Sequence, residues 1–447
     1  MVARECTPLI LLATLLFSGN SCYADDGSNR ENSVPLYPKE LKARGSFNEL
    51  HVSAGRPHNV PPHGDKELRG FFPVPGSDAA LRLEGFVKVD AIYDLRPAGN
   101  PDELVTSSIP TASKSLHSGN NFTIHAKQTR LSLEIRNSTE RGELKLYLEN
   151  DFFGTESGYE YRLTSAYGQL GNCFAGYAPS AFSDVDALPN TLDAEGPSGS
   201  IFTRTTSFRH HWTPSRNLAL TLSAEQPETQ ISPDLEALEF EEDRGIEFEP
   251  ASRVPDVVAT ARLSRHWGHV QLGGVLRTLM VEVGSRDDTT GAAGAQVSGV
   301  VNVTARDSFQ FSLYSGSGIS RYVNDFGGIG VDALVDREGD LHRLDADGGY
   351  LAYTHHWDTA WNSNVVLSMA SLENVQPRIC PGNPTNTPDQ LCDYPRETRY
   401  TVVNLLWTPS TTISAGIEAL YGYKESQAGA SGETGRIQVS VKYRFIP

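Results

Sequence analysis

The chain is 447 residues long, 38% hydrophobic and 21% charged, with a formal net charge of −17. An acidic balance of that size argues against nucleic acid as a partner, because a polyanion is bound by basic surfaces. Mean hydropathy is −0.35, and beyond the N-terminus no run of about 20 apolar residues exists to make a helical membrane span; a membrane barrel survives that exclusion, because only every second residue of its strands faces lipid.

At the N-terminus Arg4 precedes Leu9-Ile10-Leu11-Leu12-Ala13-Thr14-Leu15-Leu16-Phe17 and then small residues. This reads as a signal peptide over 1–24, cut after Ala24, with a lipoprotein cut before Cys22 as the alternative. Either way the chain is exported. Residues 25–80 are polar, rich in Pro, Gly and His, and show no periodicity (Pro61-Pro62-His63-Gly64, Pro73-Val74-Pro75-Gly76); they read as a disordered periplasmic segment. A single domain over 81–447 follows.

From Leu83 onward the period is two. Val87, Val89, Ala91 and Tyr93 alternate with Lys88 and Asp90; Leu144, Leu146 and Leu148 with Lys145, Tyr147 and Glu149; Ile437, Val439, Val441, Tyr443 and Phe445 with Gln438, Ser440, Lys442 and Arg444. Such runs are strands with one apolar and one polar face. They fall near 84–94, 123–137, 142–151, 160–170, 172–178, 202–212, 217–225, 256–267, 269–280, 297–307, 308–315, 348–358, 362–371, 397–407, 412–421 and 434–445. About 16 strands, an even number, suit a bacterial transmembrane antiparallel β-barrel.

The connections alternate in length. Long ones cover 95–122, 179–201, 226–255, 281–296, 316–347, 372–396 and 422–433, with a shorter loop at 152–159; tight turns lie between them. All five tryptophans, Trp212, Trp267, Trp357, Trp361 and Trp407, sit beside tight turns. A ring of tryptophan at one rim is the aromatic girdle of an outer-membrane barrel, with short periplasmic turns and long extracellular loops. The partners this implies are outer-membrane lipid and, at the acidic loops (Glu239-Phe240-Glu241-Glu242-Asp243 and Asp332 to Asp347), lipopolysaccharide bridged by divalent cations.

No catalytic signature stands out, neither a nucleophile elbow nor a zinc-protease motif nor a phosphate loop, and no cofactor is called for. His210-His211 and His355-His356 are strand neighbours facing opposite sides, so neither pair chelates one ion; no metal site is expected. Cys380 and Cys392 flank a Pro/Asn-rich segment and are a candidate disulfide in an oxidising compartment, whereas Cys173 is left over. By alternation Arg130, Arg136, Arg162, Arg209, Arg262, Arg277, Arg306, Lys442 and Arg444 point into the lumen, with Asp90, Glu134 and Glu149. Charged rings set selectivity in a pore, and the guanidinium fork matches carboxylates. The 179–201 connection mixes small, acidic and aromatic residues; it is expected to fold inward and narrow the pore, with Arg130, Arg162 and Arg204 opposite Asp184, and with Arg262 also lining the passage.

Phe72-Pro73-Val74-Pro75-Gly76-Ser77, Gly85-Phe86-Val87-Lys88-Val89-Asp90-Ala91, Glu149-Asn150-Asp151-Phe152-Phe153-Gly154, Ala166-Tyr167-Gly168-Gln169-Leu170, Asp193-Ala194-Glu195-Gly196-Pro197 and the stretch from Tyr314 to Asp325 together resemble the DcaP-like trimeric outer-membrane porins, in order, over about 85–445. The resemblance implies a homotrimer of 16-stranded barrels and passive uptake of small, often anionic solutes such as dicarboxylates. The chain departs from that pattern at Gly176-Tyr177-Ala178-Pro179, where a Gly-Gln-Thr-type motif is usual, in its end Phe445-Ile446-Pro447, and in lacking N-terminal heptads. The expected function is an arginine-lined diffusion pore; the alternatives are a barrel enzyme of lipase or protease type and a plugged structural or adhesive barrel.

Overall fold

The computed structural model describes residues 70–111, 119–154, 158–245, 247–284, 286–380 and 389–445. The expected signal peptide and most of the 25–80 segment lie outside them. Sixteen antiparallel strands close one sheet. The first half is β1 (Ala79–Asp94), β2 in two parts (Asn121–His125 and Arg130–Thr139), β3 (Gly142–Asp151), β4 (Arg162–Leu170), β5 (Cys173–Pro179), β6 (Arg204–Ser215), β7 (Leu218–Glu225) and β8 (Asp256–Arg265). The second half is β9 (Gly268–Val283), β10 (Arg286–Asn302), β11 (Asp307–Ser317), β12 (Asp345–His356), β13 (Trp361–Leu372), β14 (Pro395–Trp407), β15 (Ile413–Ser426) and β16 (Ser431–Arg444). β1 pairs with β16 from Phe86↔Arg444 to Asp94↔Arg436, which leaves no free edge. Lipid offers no hydrogen bonds to an open edge, so closure is required.

Burial is inverted relative to a water-soluble domain. Lys88, Asp90, Glu134, Arg436, Gln438, Ser440 and Lys442 are buried, while Val87, Val89, Leu131, Ile437, Val439 and Tyr443 are exposed on the same strands. The apolar face of each strand looks outward and the charged face looks into the barrel, where charges find partners: Lys88 lies 3.0 Å from Asp90, and Arg436 is 2.6 Å from Asp94.

All 16 expected runs are strands; two of the expected long loops are not loops. β9 runs to Val283 and β10 starts at Arg286, in continuous register from Gly268↔Val301 to Val283↔Arg286, so 281–296 is the top of a tall hairpin. Gly284 turns it with a φ of 61°, in the left-handed region a tight hairpin needs. Likewise β15 and β16 extend through most of 422–433. Both tips project past the lipid, where nothing enforces alternation of apolar and polar residues. Ordered structure also begins before residue 81: Phe72–Pro73 pairs with Ala80 and Leu81. Arg306, expected in the lumen, is exposed in the turn after β10, because Val303 N–H and Thr304 N–H bond to Asp307 O and close a turn there.

The long connections at the loop rim fold over and into the barrel. Residues 226–255 carry helix α1 (Leu235–Arg244), capped by the Asp234 carboxylate accepting from Ala237 N–H. The same connection and 318–344 share a small sheet of Ile231–Pro233, Ala333–Val335 and Leu341–Arg343. An apolar cluster built on Phe182, Ile201, Tyr322, Val323 and Phe326 packs against inward residues Val258, Val275, Tyr314, Ala346 and Ala370 of β8, β9, β11, β12 and β13. That side of the lumen is therefore filled, and open space is left towards β2–β6.

Candidate pore constriction

Two connections turn into the lumen, the first over residues 95–111 and the second over 180–203. The second leaves β5 and is tied to wall after wall. Asp184 accepts from His269 (2.8 Å) and Ser298 Oγ (2.8 Å) and pairs with Arg262 at 3.5 Å. Tyr350 Oη donates to Ala187 O (3.0 Å), and Asn404 Nδ2 to Asn190 O (2.9 Å). The Glu418 carboxylate accepts from Leu192 N–H and Asp193 N–H at 2.8 and 3.0 Å, and Lys88 Nζ donates to Leu192 O at 2.6 Å. Gly199 N–H donates to Ser368 Oγ (2.8 Å), at a point where a Cβ would run into the main-chain oxygens of Met369 and Gly349. The loop thus circles the inner wall from β8 round to β1, as its polar main chain requires of a segment held away from bulk water.

The first inturned connection completes the ring. Asn100 Oδ1 accepts from Asp102 N–H (2.9 Å), and Arg436 Nη2 donates to Asn100 O (2.7 Å). Asp102 pairs with Lys127 at 2.5 Å, in the gap where β2 is interrupted. Leu104 N–H donates to Asp193 Oδ1 (3.0 Å), and Asp325 accepts from Thr106 Oγ1 (2.7 Å) and Ser107 N–H (3.0 Å). The two loops are locked to each other and to the 318–344 connection.

Between them and the β2–β6 wall is a cavity of about 400 Å³ whose charged lining is Arg130, Arg162, Arg204 and Arg321 against Glu103, Asp151 and Glu195. Arg162 holds Asp151 through two hydrogen bonds, Nε to Oδ1 at 2.8 Å and Nη2 to Oδ2 at 2.7 Å. Arg130 lies 3.5 Å from Glu149 and 3.9 Å from Asp151. Arg162 and Arg204 also stack on Phe153 and Phe202, at 5.0 and 4.9 Å to the ring centres. Among the described residues Arg204 makes no hydrogen bond and no ion pair, and its buried Nε is without a partner. Burial pushes the Glu103 carboxyl up to about 7, against the pull of Arg162 and with Asp193 and Asp151 adding to the rise. Glu195 is raised well above the ordinary carboxylate range, by burial first and then by Glu103, Asp193 and Asp325.

The geometry sorts the residues singled out from sequence. Arg130, Arg162 and Arg204 come together at the cavity. Asp184 does not face them: it sits on the filled side with Arg262, which also holds Asp186 at 2.6 Å, so this pair braces the loop against β8–β10. Arg277 is a brace of the same kind, 3.0 Å from Asp256 and 2.9 Å from Asp332. Besides Asp151 of β3, the acids facing the three arginines are Glu103 and Glu195 of the inturned loops. Glu195 lies within the Asp193-Ala194-Glu195-Gly196-Pro197 stretch that carries part of the family resemblance, whereas Glu103 had no periodicity or motif to mark it; the Asn100-Pro101-Asp102 turn signal was the one cue that its loop is structured. Of the acids between 332 and 347, Asp332 pairs with Arg277, Asp336 with His342 at 2.6 Å and Asp340 with Arg286 at 2.8 Å, while Glu338, Asp345 and Asp347 are exposed. Cys380 and Cys392 are bonded, with Cα atoms 5.1 Å apart. The five tryptophans all lie at the short-turn rim, and Trp361 and Trp407 pair across β13 and β14. His210 packs on Trp212 at 4.3 Å, while His211 Nδ1 meets Thr221 Oγ1 at 3.0 Å on the other face.

A closed lipid-facing barrel with a charged interior, narrowed by inturned loops, defines an outer-membrane channel of the porin class. The chain belongs to the DcaP outer membrane protein family, which it matches over residues 65–445. In structure it is similar to the outer membrane channel DcaP of Acinetobacter baumannii, with a TM-score of 0.69 and 19% identity over 84% of this chain and 99% of that one. An anion-selective porin from Comamonas acidovorans is similar at a TM-score of 0.55 and 10% identity, over 82% of this chain and 100% of that one. At these identities the likeness speaks for the fold. No curated protein matches the chain in sequence.

Proposed function

We propose that this channel lets small anionic solutes, of the dicarboxylate kind, diffuse passively into the periplasm past the arginines of its constriction. The observation that carries the reading is Arg204: a guanidinium lining the narrow passage with no carboxylate bound to it among the described residues. A cation with reduced access to water attracts an anion far more strongly than one at a free surface. Arg162 and Arg130 extend the positive wall, although acids already hold them. The similar porin from Comamonas acidovorans is anion-selective, which fits the same reading. The assembly proposed is a homotrimer. Its support is the smooth outer face of β4 and β5, where Ala166, Gly168 and Ala175 lie between Leu146 and Phe208.

The test is the reversal potential of the purified protein in a planar bilayer under a salt gradient. Anion preference with steps in threes is expected, and Arg204→Gln should reduce that preference while leaving heat-modifiable migration unchanged. Cation preference at neutral pH would overturn the anionic part, and folded protein without conductance would point to the plugged structural barrel.

A further inference from the structure

The constriction holds a second charged group without a partner. Among the described residues no hydrogen bond or ion pair reaches the Glu103 carboxylate, although it lines the same cavity as Arg204. Its aim is set by its neighbours. Asp102 on one side is tied to Lys127, Leu104 on the other donates to Asp193, and Glu103 N–H itself bonds to Asn100 Oδ1 at 3.3 Å. With both flanks pinned to the wall and to the second loop, the side chain between them projects into the passage. Opposite stand Arg162 and Arg204 from β4 and β6, with Asp151 of β3; beside it stand Asp193 and Glu195 of the second loop. Glu195 is steadied by Asn324, whose Nδ2 donates to Oε1 at 3.0 Å.

We infer that Glu103 is a specificity-determining residue of this pore: its carboxylate opposes the guanidinium wall across the constriction and, among the solutes that wall admits, slows dicarboxylates relative to solutes that carry an ammonium group together with a carboxylate. A solute of that kind places its carboxylate on Arg204 and its ammonium on Glu103, whereas a dicarboxylate brings one carboxylate to the arginine and a second towards like charge. The preference holds while Glu103 is ionised. Since its carboxyl titrates at about 7, acidification below that point neutralises it and relaxes the discrimination. The inference rests on the anion-attracting wall proposed above.

The experiment compares wild type, Glu103→Gln and Glu103→Asp in proteoliposomes, measuring entry of succinate and of β-alanine at about pH 8 and about pH 5.5, with bilayer reversal potentials alongside. At the higher pH, Glu103→Gln should raise the succinate to β-alanine ratio about threefold or more, the size of effect one partly screened charge exerts. Wild type should approach the variant at the lower pH, the Gln variant should keep only the smaller pH dependence that Glu195 supplies, and Glu103→Asp should retain the full one. A ratio and pH profile shared by wild type and Glu103→Gln, in channels that conduct with anion preference, would overturn the role of Glu103 alone. Cation preference at every pH, or no entry of either solute, would overturn the reading of the wall beneath it.

Discussion

Asp151 holds Arg162 by two hydrogen bonds and lies 3.9 Å from Arg130, so one carboxylate mutes two of the guanidinium groups on the wall. Asp151→Asn should strengthen anion preference, read as a reversal potential shifted further towards that of the anion. It should also cost about 1–3 kcal/mol of stability, because the arginines lose their charged acceptor, and a urea titration of the folded barrel checks this. An unchanged reversal potential would show that Arg162 does not act on the permeating ion. The inward direction of Arg130, Arg162 and Arg262 was legible from alternation alone. Which acid each would meet was not: Glu149 and Asp151 reach Arg130 and Arg162 from the neighbouring strand β3, in a register that alternation does not fix, whereas Asp184 and Asp186 reach Arg262 from a loop whose course is set by contacts far apart in the chain. Asp184 was expected across from the arginines because it lies early in the inturned loop, but that part of the loop is tethered to His269, Ser298 and Arg262 on the far wall.

At the scale of elements, the inturned 180–203 loop keeps the passage open only while it hugs the wall. Gly199 is the tightest point of that contact, facing the main chain of β12 and β13. Gly199→Val has no space there; it should push the loop towards the arginines, lower single-channel conductance roughly twofold or more, and destabilise by about 1–3 kcal/mol as overpacking does. Conductance equal to wild type would mean the loop yields outward instead. The strands themselves were read successfully wherever lipid enforces two unlike faces. The upper halves of β9 and β10 escaped, because above the membrane Thr289, Thr290, Gly291, Ala292 and Ala293 answer to hairpin pairing and not to a lipid boundary. The inward course of residues 95–111 was missed for a related reason: a loop held by side-chain acceptors such as Asn100 and Asp193 leaves no periodic trace.

For the whole molecule, lipid contact predicts an asymmetry between neighbouring positions of a strand. Leu276 on β9 is 64% exposed on the outer face, while Gln271 on the inner face is buried among polar groups. Leu276→Arg should cost about 2–4 kcal/mol if it lies near the bilayer midplane, whereas Leu276→Phe should cost far less; equilibrium unfolding from lipid vesicles distinguishes them. Equal costs would mean that this face is not in lipid.

The pairing of β1 with β16 has a consequence for how the chain reaches its membrane. The sheet cannot lose its open edges until the final 14-residue strand is in place, so a barrel assembled progressively during synthesis would offer an unsatisfied edge to the bilayer at every stage. Pairing across almost the whole chain is also intrinsically slow. The polypeptide therefore reaches the membrane with its sheet still unclosed, and its first and last strands meet only there. The alternation that lines the pore helps here as well: by interleaving polar residues with apolar ones along the strands, it leaves no run of about 20 apolar residues in the barrel for the inner membrane to retain as a helix.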